Sequence, residues 1–561
     1  MGIRRCLLVA RASGKSVLLI RRRLERISAF YSPLGAPRVS QRYVDAAGTL
    51  IAVIDFDDRS HDLAKPAVFG AQPPSELESA AALLDAGEAT LRGLTAPLAM
   101  VAADAERVRI VTACCPPTML YEASGPEIRA WSSHAVAAAV IARGTAALNA
   151  AALAEFLAAQ FVGGEQTLIR ESTAVDTATS ITLGADEVTR RSYWPARERW
   201  RLVDSQAAYA HAEGALLATL PRQVAPYARP FCGLTGGLDS RLAAVSLAAA
   251  EVEFEALTFG EDGWPDFQAA PGIAAGLGVP HRHCAIEWTG DGAALRAARA
   301  ETRWHEGAIQ VGLGRIPWPS PMSAWVTGSG GETGRAFYYR ERALADPDPA
   351  PDRVAEALRE ALLHQIEGAT DDARRAVRRA ADAWLFEARA LGADGWGALD
   401  VVYAEQRLRR WLRGMLTHHV GPTLPAFGDP EVQRGLASLP LAERTSDGFH
   451  RRFLATHAPE LRAAERNPTR TRLARRALAR LRRGVGPRAP SLLGAHWSEH
   501  PEFHAWLAEE ILRSPALIAA LGESWCDATR SGFLRGEGAA ETRALWAAGP
   551  IALGAELRDL G

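Results

Sequence analysis

Residues 229–241 read Arg-Pro-Phe-Cys-Gly-Leu-Thr-Gly-Gly-Leu-Asp-Ser-Arg, and the predicted architecture can be built outward from them. The apolar run 231–234 predicts a short buried strand, and the alanine-rich segment 241–251 predicts a helix. Between them, Gly236 and Gly237 allow a tight turn in which the backbone approaches a ligand closely. The unpaired N–H groups of the first helical turn would then point at that ligand, which is the arrangement of an anion site.

The polar residues of this turn predict a nucleotide with a divalent cation. Thr235 and Ser240 supply hydroxyl donors, whereas Asp239 would repel a phosphate unless a cation lies between them. A lone Gly-Gly pair leaves the alternative of an ordinary strand-to-helix turn. The whole hexapeptide 235–240, however, resembles the pyrophosphate-binding loop of the asparagine synthetase family, Ser/Thr-Gly-Gly-x-Asp-Ser. It is not a Walker loop, because no Lys follows the second Gly.

The composition of the chain argues against several classes of protein. The 561 residues carry a formal net charge of −1, so no global field favours nucleic acid or a membrane as partner. The sequence has no apolar run of the roughly 18 residues that a membrane-spanning helix needs, and we expect a cytoplasmic protein. Six scattered cysteines without a Cys-x-x-Cys pair indicate neither a zinc site nor a disulfide framework.

Residues 1–200 predict a domain of antiparallel strands and helices. Helices are expected near 76–92 and 135–159. Short apolar runs bounded by turns predict strands at 7–9, 17–20, 50–54, 98–102 and 108–111. This order resembles the N-terminal glutaminase half of asparagine synthetases, which implies an αββα sandwich of the Ntn-hydrolase type.

The same domain departs from that family at the residues that hydrolyse glutamine. Such glutaminases use an N-terminal Cys as nucleophile and, through its amine, as base. Here residue 2 is Gly, and the amine of Cys6 is tied up in a peptide bond. The Asn-Gly-Glu substrate loop of the family is also absent. We therefore expect a degenerate domain that keeps the glutaminase shape without the activity.

Residues 201–470 predict a doubly wound parallel sheet, and the resemblance implies that it is of the PP-loop synthetase type. A second strand at 254–259 is followed by Pro265-Asp266 and a helix at 267–277, and such alternation places ligands at the carboxyl ends of the strands. In asparagine synthetases the loop after this strand receives adenine, so the resemblance implies that Thr258 and Asp266 lie near the base. A Pro-Asp pair is equally an ordinary helix start.

A third segment completes the predicted nucleotide site. Residues 324–335 read Ala-Trp-Val-Thr-Gly-Ser-Gly-Gly-Glu-Thr-Gly-Arg and resemble the family's Ser-Gly-x-Gly-Ala-Asp-Glu loop, with Glu332 in place of the metal-binding Asp. Alone, the segment is also compatible with a glycine-rich turn. The resemblance implies that ATP and Mg²⁺ bind between the two loops, with Asp239 and Glu332 as metal ligands. It further implies that the nucleotide contacts Leu234, Thr235, Gly236, Gly237, Ser240, Thr327 and Gly328.

Three residues are candidates for the chemistry. Ser329 stands where asparagine synthetases carry Glu and β-lactam synthetases carry Tyr, and its hydroxyl is a weak base, so another group must take the amine proton or the amine must arrive neutral. Glu405 falls near the Glu partner of that Tyr, with a solvated Glu on an Arg-rich helix as the alternative. Segment 448–454 resembles the one that carries a charge-stabilising Lys, and because no Lys occurs there Arg451 or His450 must supply the charge.

Helical periodicity dominates the remaining sequence from about residue 346. Residues 466–488 are rich in arginine and lack acidic residues, which predicts either a solvated helix or linker or a docking face for an acidic partner or peptide. We assign 471–561 to this Arg-rich segment and a C-terminal helical extension.

The resemblance to asparagine synthetases implies an AMP-forming carbon–nitrogen ligase. It would use ATP to adenylate a substrate carboxylate, release pyrophosphate, and pass the acyl group to an amine that does not come from glutamine. β-Lactam synthetases and lasso-peptide cyclases are the nearest models, so the substrate would be a small molecule or peptide with both groups, and a precursor peptide or leader protease is a candidate partner. The alternative is a catalytically degenerate binding or scaffold protein.

Overall fold

The computed structural model describes residues 5–11, 16–31, 38–44, 49–55, 65–115, 117, 120–260, 265–285, 287–288, 292–309, 314–315, 324–415, 422–461, 500–558 and 560. Its strands are β1 (Arg5–Arg11), β2 (Arg38–Val44), β3 (Thr49–Asp55), β4 (Ala67–Gly70), β5 (Leu98–Ala103), β6 (Val108–Thr112), β7 (Tyr121–Ser124), β8 (Arg129–Ser132), β9 (Thr173–Ala174), β10 (Thr179–Leu183), β11 (Val188–Ser192), β12 (Phe231–Gly233), β13 (Glu255–Gly260), β14 (His281–Ala285), β15 (Glu287–Trp288), β16 (Gly314–Arg315), β17 (Trp325–Thr327) and β18 (Thr423–Pro425).

The α-helices are α1 (Ser16–Tyr31), α2 (Ala80–Asp85), α3 (Glu88–Arg92), α4 (Ala135–Arg143), α5 (Ala150–Ala159), α6 (Ala196–Arg199), α7 (Ala208–Val224), α8 (Leu238–Ala249), α9 (Pro265–Leu277), α10 (Gly292–Trp304), α11 (Arg340–Ala345), α12 (Pro351–Leu363), α13 (Asp371–Ala390), α14 (Gly397–Val402), α15 (Arg409–Met415), α16 (Pro430–Ala437), α17 (Leu441–Thr445), α18 (Gly448–His457), α19 (Pro501–Ala505), α20 (Pro515–Leu521), α21 (Glu523–Leu534) and α22 (Gly538–Arg558). Short 3₁₀ turns lie at Ser75–Leu77, Gly331–Arg335 and His364–Ile366, and π-helical turns at Tyr403–Leu408 and Trp506–Ile511.

Two antiparallel sheets pack face to face in the N-terminal region. Their strand orders are β2-β3-β1-β8-β7-β9 and β11-β10-β6-β5-β4. Side chains of a strand alternate between its two faces. On β1, Leu7 packs with Ile110 of the second sheet, whereas the next residue, Leu8, packs in a cluster with α1 and α4. On the outer face of the second sheet, Met100 packs with Leu83 of α2. The layers therefore run helix, sheet, sheet, helix.

A five-stranded parallel sheet follows, in the order β14-β13-β12-β17-β18. The strand order reverses between β12 and β17, which is the point where open α/β sheets bind ligands. Cys232 and Val326 face a cluster built from α7, α8, α9, α16 and α18. Their neighbours Phe231 and Trp325 face the opposite side, in a cluster that contains no helical side chain of the described residues. The predicted combination of antiparallel sheets and a later parallel sheet is thus confirmed, with the described helices of this sheet on one face.

A helical layer joins distant parts of the chain. Phe156 of α5 shares one buried cluster with Trp384 of α13 and with Trp525 of α21. At the end of α22, Leu553 and Leu557 pack instead into the cluster between the first sheet and α1. The C-terminal helices therefore contact both the helical layer and the N-terminal sandwich.

Three sequence-based expectations need correction. Residues 17–20, predicted as a strand, belong to α1, because Ile20, Leu24 and Ile27 recur at helical spacing and bury one face of that helix. The helix predicted over 135–159 is two helices, since α4 ends just before Gly144, whose φ of 84° suits glycine. The helix predicted near 76–92 is likewise divided, into the 3₁₀ turn Ser75–Leu77, α2 and α3. Within the helical region after residue 346, the π-helical turn Tyr403–Leu408 separates α14 from α15. The Arg-rich segment 466–488 lies outside the described residues.

Within the described part of the chain, none of the helices is both long and apolar enough to traverse a lipid bilayer.

Candidate functional site

The two glycine loops meet at the carboxyl ends of adjacent strands. The first follows β12 and the second follows β17, and these strands are parallel neighbours. A β-carbon on Gly328 would lie 2.5 Å from the backbone N of Ser240 and 2.6 Å from the carbonyl carbon of Asp239. A β-carbon on Gly331 would overlap the Asp239 carboxylate. The structure therefore brings together the two segments that the sequence predicted as the sides of one site.

Hydroxyl groups close the first loop on itself. The Oγ atoms of Thr235 and Ser240 are 2.7 Å apart, and Thr235 Oγ1 also accepts the N–H of Gly237 at 3.0 Å. Gly237 is the extended residue before α8. A β-carbon at this position would lie 3.1 Å from Thr235 Oγ1, so the absence of a side chain leaves room for the Thr235 hydroxyl. The carbonyl of Gly236 accepts a 2.7 Å hydrogen bond from the buried Arg241. The turn is thus held in one conformation before any ligand arrives.

The second loop is held by a side chain that sequence analysis missed. Gln433 of α16 donates to the carbonyl of Gly330 at 2.9 Å and accepts from the hydroxyl of Thr333 at 2.5 Å. Gly330 has a φ of 97°, a conformation that glycine adopts without strain. Gln433 and Gly330 are 103 positions apart in the chain. No local sequence pattern records such a contact.

An ion-pair network surrounds Asp239. Arg335 Nη1 donates to Asp239 Oδ2 at 2.6 Å, and the ring Nε2 of the fully buried His450 lies 2.8 Å from Asp239 Oδ1. Arg335 Nε donates to Asp447 at 2.9 Å, and Arg340 binds the same carboxylate. Burial favours the neutral form of Asp239, but the hydrogen bonds and charges of His450 and Arg335 outweigh it and lower its pKa.

Glu332 forms the acidic side of the second loop. Its Oε2 accepts from the hydroxyl of Tyr403 at 2.7 Å and from the N–H of Gly330 at 3.1 Å. Burial raises the pKa of Glu332, and the negative charge of Asp239 raises it further. The two predicted acidic residues therefore lie close enough to repel each other. Tyr403 is a second contact that the sequence did not indicate.

Two carboxylates, Asp239 and Glu332, are the candidate metal ligands between the two glycine loops. Within the described residues, no group of three or more His, Cys, Asp or Glu side chains is arranged to hold a metal ion. Asp239 is also paired with Arg335 and His450. The residues do not form a resident metal centre, although Mg²⁺ that arrives on a triphosphate needs only one or two protein carboxylates. Asp239 and Glu332 as Mg²⁺ ligands stay a prediction.

Glu405 lies at a different interface. Its carboxylate accepts from Trp200 Nε1 at 2.5 Å and pairs with Arg409 at 2.6 Å and Arg199 at 3.5 Å. The Glu405 side chain is only 14% exposed, which contradicts the alternative prediction of a solvated Glu on an Arg-rich helix. Burial would raise its pKa, but Arg409 and Arg199 lower it. Arg409 also reaches Asp176, so these contacts connect the π-helical turn to the N-terminal sandwich.

Other predicted residues have supporting contacts. Thr258 is buried and donates to the carbonyl of Leu234 at 2.7 Å, which fixes the end of β12. Thr327 donates to the hydroxyl of Ser329 at 3.0 Å inside the second loop. Arg451 is exposed on α18 and its Nε donates to the Ser446 carbonyl at 3.1 Å, so Arg335 and His450, and not Arg451, reach Asp239. Asp266 is in the first turn of α9.

The segment before α16 contains a buried carboxylate with a testable titration. Asp429 caps α16 by accepting the N–H of Glu431 at 2.8 Å, and burial raises the pKa of Asp429 to about 6. In the unfolded chain the pKa of an Asp is about 3.9. Between that pKa and the native pKa, the native state binds more protons than the unfolded state, so the stability falls as the pH rises from about 4 to 6.

Asp429→Asn should therefore be more stable than the wild type at pH 8 by about 2–3 kcal/mol, because Asn retains the capping oxygen without the charge. Urea unfolding of both proteins at pH 4 and pH 8 measures this difference. At pH 4 the two should agree closely. An equal difference at both pH values would show that Asp429 does not titrate as stated.

Comparisons with known proteins give limited information. No protein-family model matches the chain, and no curated protein matches it. Among solved structures, the chain is similar to glutamine phosphoribosylpyrophosphate amidotransferase from B. subtilis, described in complex with ADP and GMP. The match has 12% sequence identity, covers 59% of this chain and 77% of that chain, and has a TM-score of 0.22. At that score the similarity supports no conclusion about this protein.

Proposed function

We propose that the protein is an ATP-dependent, AMP-forming ligase that joins a carboxylate to an amine. The observation that carries the proposal is the contact between the two glycine loops at the carboxyl ends of β12 and β17, each with an acidic residue, Asp239 and Glu332. This is the position at which a parallel α/β sheet binds a nucleotide. The resemblance of both loops to those of asparagine synthetases supplies the reaction class.

In this proposal the protein mainly positions and neutralises the reactants. ATP enters as a substrate with its own Mg²⁺, and its phosphates approach the N–H groups at the start of α8, which have no partner within the helix. The substrate carboxylate attacks the α-phosphorus and pyrophosphate leaves. The amine then attacks the acyl-adenylate and AMP leaves. Because the loops are closed by their own hydrogen bonds, orientation and preorganised charge supply most of the rate.

The amine has to lose a proton during this sequence. Ser329 is a poor acceptor because a hydroxyl is a weak base, and it already accepts from Thr327. Glu332 of the same loop is a carboxylate and therefore a stronger base than the Ser329 hydroxyl, and it can take the proton while it does not ligate Mg²⁺.

We further propose that the N-terminal sandwich is a degenerate glutaminase-like domain of the Ntn-hydrolase type. All six cysteines are buried. Burial raises the thiol pKa of Cys114 in the sandwich to about 12 and that of Cys115 well above its ordinary value. Nucleophilic thiols need the opposite, a lowered pKa and access to substrate. The amine would therefore come with the substrate or from a second molecule, and not from glutamine.

The substrate in this proposal is a small molecule or peptide that carries the carboxylate and the amine, which includes macrolactam or β-lactam closure. A precursor peptide or a leader protease would then be a natural partner. A cytoplasmic location belongs to the same proposal, because ATP is supplied there.

A second candidate function is a non-catalytic nucleotide-binding or scaffold protein. It is favoured by the pairing of both Asp239 oxygens with Arg335 and His450, which leaves the free protein without an open carboxylate at the first loop. Nucleotide binding without turnover would be its signature.

The proposal is tested with the purified full-length protein, Mg²⁺·ATP and a panel of carboxylic acids, by measuring AMP and pyrophosphate. We expect acid-dependent release of both products, and at least a roughly 100-fold loss in Asp239→Asn, because the negative charge that faces the cation of Mg²⁺·ATP is removed. Asp372→Asn, at an exposed position of α13, is the matched control. ADP as the product would exclude adenylation. ATP that stabilises the protein without being cleaved would favour the scaffold function.

A further inference from the structure

Arg335 sits at the centre of the charged network between the loops. Its guanidinium contacts Asp239 on one side and Asp447 on the other, at 2.6 Å and 2.9 Å. The side chain remains 27% exposed, so solvent reaches part of it. Among the described residues, no other guanidinium contacts Asp239.

The position of Arg335 is fixed from several directions. Asp447 also binds Arg340, which in turn donates to the Arg335 carbonyl at 3.1 Å. Asp447 begins α18, and His450 of the same helix holds the other oxygen of Asp239. Both carboxylates that flank the guanidinium are therefore themselves anchored. A cation held in this way needs little reorganisation when an anion binds.

The guanidinium has unused donors for such an anion. Arginine carries five N–H donors in a planar fork. Within the described residues, Arg335 Nε donates to Asp447 and Arg335 Nη1 donates to Asp239. None of the described residues accepts a hydrogen bond from Arg335 Nη2. Burial would lower the pKa of Arg335, but Asp239 and Asp447 raise it, so the group stays charged. The two N–H groups of Nη2 can donate to the oxygens of a phosphate.

We propose that Arg335 is the resident cation of this site: it neutralises Asp239 in the nucleotide-free protein, and it binds the phosphate groups of the nucleotide directly. The free protein consequently does not take up a divalent cation at Asp239 and Glu332. This inference rests on the proposed function for the identity of the phosphate ligand. It does not depend on which acid or amine the protein uses.

The proposal also supplies a positive charge for the site, because segment 448–454 has no lysine to stabilise negative charge. The sequence assigned the charge-stabilising role to Arg451 or His450, but Arg451 is exposed and donates to the Ser446 carbonyl. His450 is fully buried behind Asp239. Of the two side chains that pair with Asp239 among the described residues, Arg335 is partly exposed and His450 is buried.

The first test measures Mn²⁺ binding to the full-length, nucleotide-free protein by electron paramagnetic resonance. Wild type should show no Mn²⁺ site that depends on Asp239. Arg335→Gln should gain about one site, because Asp239 and Glu332 lose their counter-charge, and the double variant with Asp239→Asn should lose it again. Arg342→Gln, which removes an exposed arginine of the neighbouring α11, should gain none.

The second test measures binding of inorganic pyrophosphate by calorimetry, without ATP turnover. Arg335→Gln should weaken binding at least about tenfold, Arg335→Lys less, and Arg342→Gln by less than about twofold. Unchanged pyrophosphate binding in Arg335→Gln would overturn the proposal. So would Mn²⁺ binding by the wild type that disappears in Asp239→Asn, a result that needs no Arg335 variant to fold. Both tests can succeed even if no acid supports AMP formation, which separates this inference from the ligase proposal.

Discussion

Gly328→Ala is expected to separate the two loops and to remove nucleotide-dependent activity. The new β-carbon would meet the backbone of Ser240 and Asp239 at 2.5–2.6 Å, and backbone atoms cannot rotate away as a side chain can. The loops must therefore move apart. Misplacing reacting groups by about 1 Å can cost about 100-fold in rate, and we expect at least that loss. Overpacking should also cost about 1–3 kcal/mol of stability.

Urea unfolding and the thermal shift on adding Mg²⁺·ATP measure the two effects separately. Gly214→Ala is the matched control, because a β-carbon on this glycine of α7 meets no atom within 4 Å. In a helix interior that exchange should stabilise the protein by about 0.5–1 kcal/mol. A Gly328→Ala protein as stable as the wild type, with the same response to ATP, would mean that the loops are not in contact.

Glu405→Ala is expected to have the largest effect on stability. Removing the carboxylate leaves Arg199 and Arg409 without their shared partner and Trp200 Nε1 without its acceptor. Breaking a buried ion pair by deleting one partner costs about 3–5 kcal/mol. Urea unfolding gives the value directly.

The control is Glu356→Ala, in which an exposed carboxylate 3.7 Å from Arg359 is removed. A surface pair of this kind contributes about 0–1 kcal/mol. The comparison also decides between two roles for Glu405. A variant that keeps wild-type stability but loses AMP formation would return Glu405 to the catalytic role that its sequence position suggested.

The π-helical turn Tyr403–Leu408 contacts both the second glycine loop and the region where the N-terminal sandwich packs. Tyr403 at its start points to Glu332 of the second loop, whereas Glu405 pairs with arginines at the contact with the N-terminal sandwich. Such turns alter the angular spacing of side chains relative to an α-helix and are frequent at functional sites. The sandwich and the candidate site are therefore connected through the backbone of six residues.

Local sequence patterns were sufficient for most of the framework. The strand at 231–234, the glycine turn and α8 follow from an apolar run, two adjacent glycines and an alanine-rich segment, which act within about ten residues of each other. The same kind of pattern led to a wrong prediction at 17–20, because four consecutive apolar residues fit a strand as well as the first turn of a buried helix. There the helical spacing of the following residues was the better guide.

The electrostatics of the site follow from tertiary contacts instead. Asp239 was recognisable in its motif, but its partners Arg335 and His450 lie 96 and 211 positions away. Tyr403 is 71 positions from Glu332, and Gln433 is 103 from Gly330. One arginine among many has no distinctive sequence signal, and only the folded sheet brings it to the carboxylate. Periodicity and turn chemistry depend on residues that are close in the chain, so the sequence motif was sufficient to locate the site. Charge pairing depends on distance in space, so only the packing of β12, β17 and α18 determines that Arg335 is the cation beside Asp239.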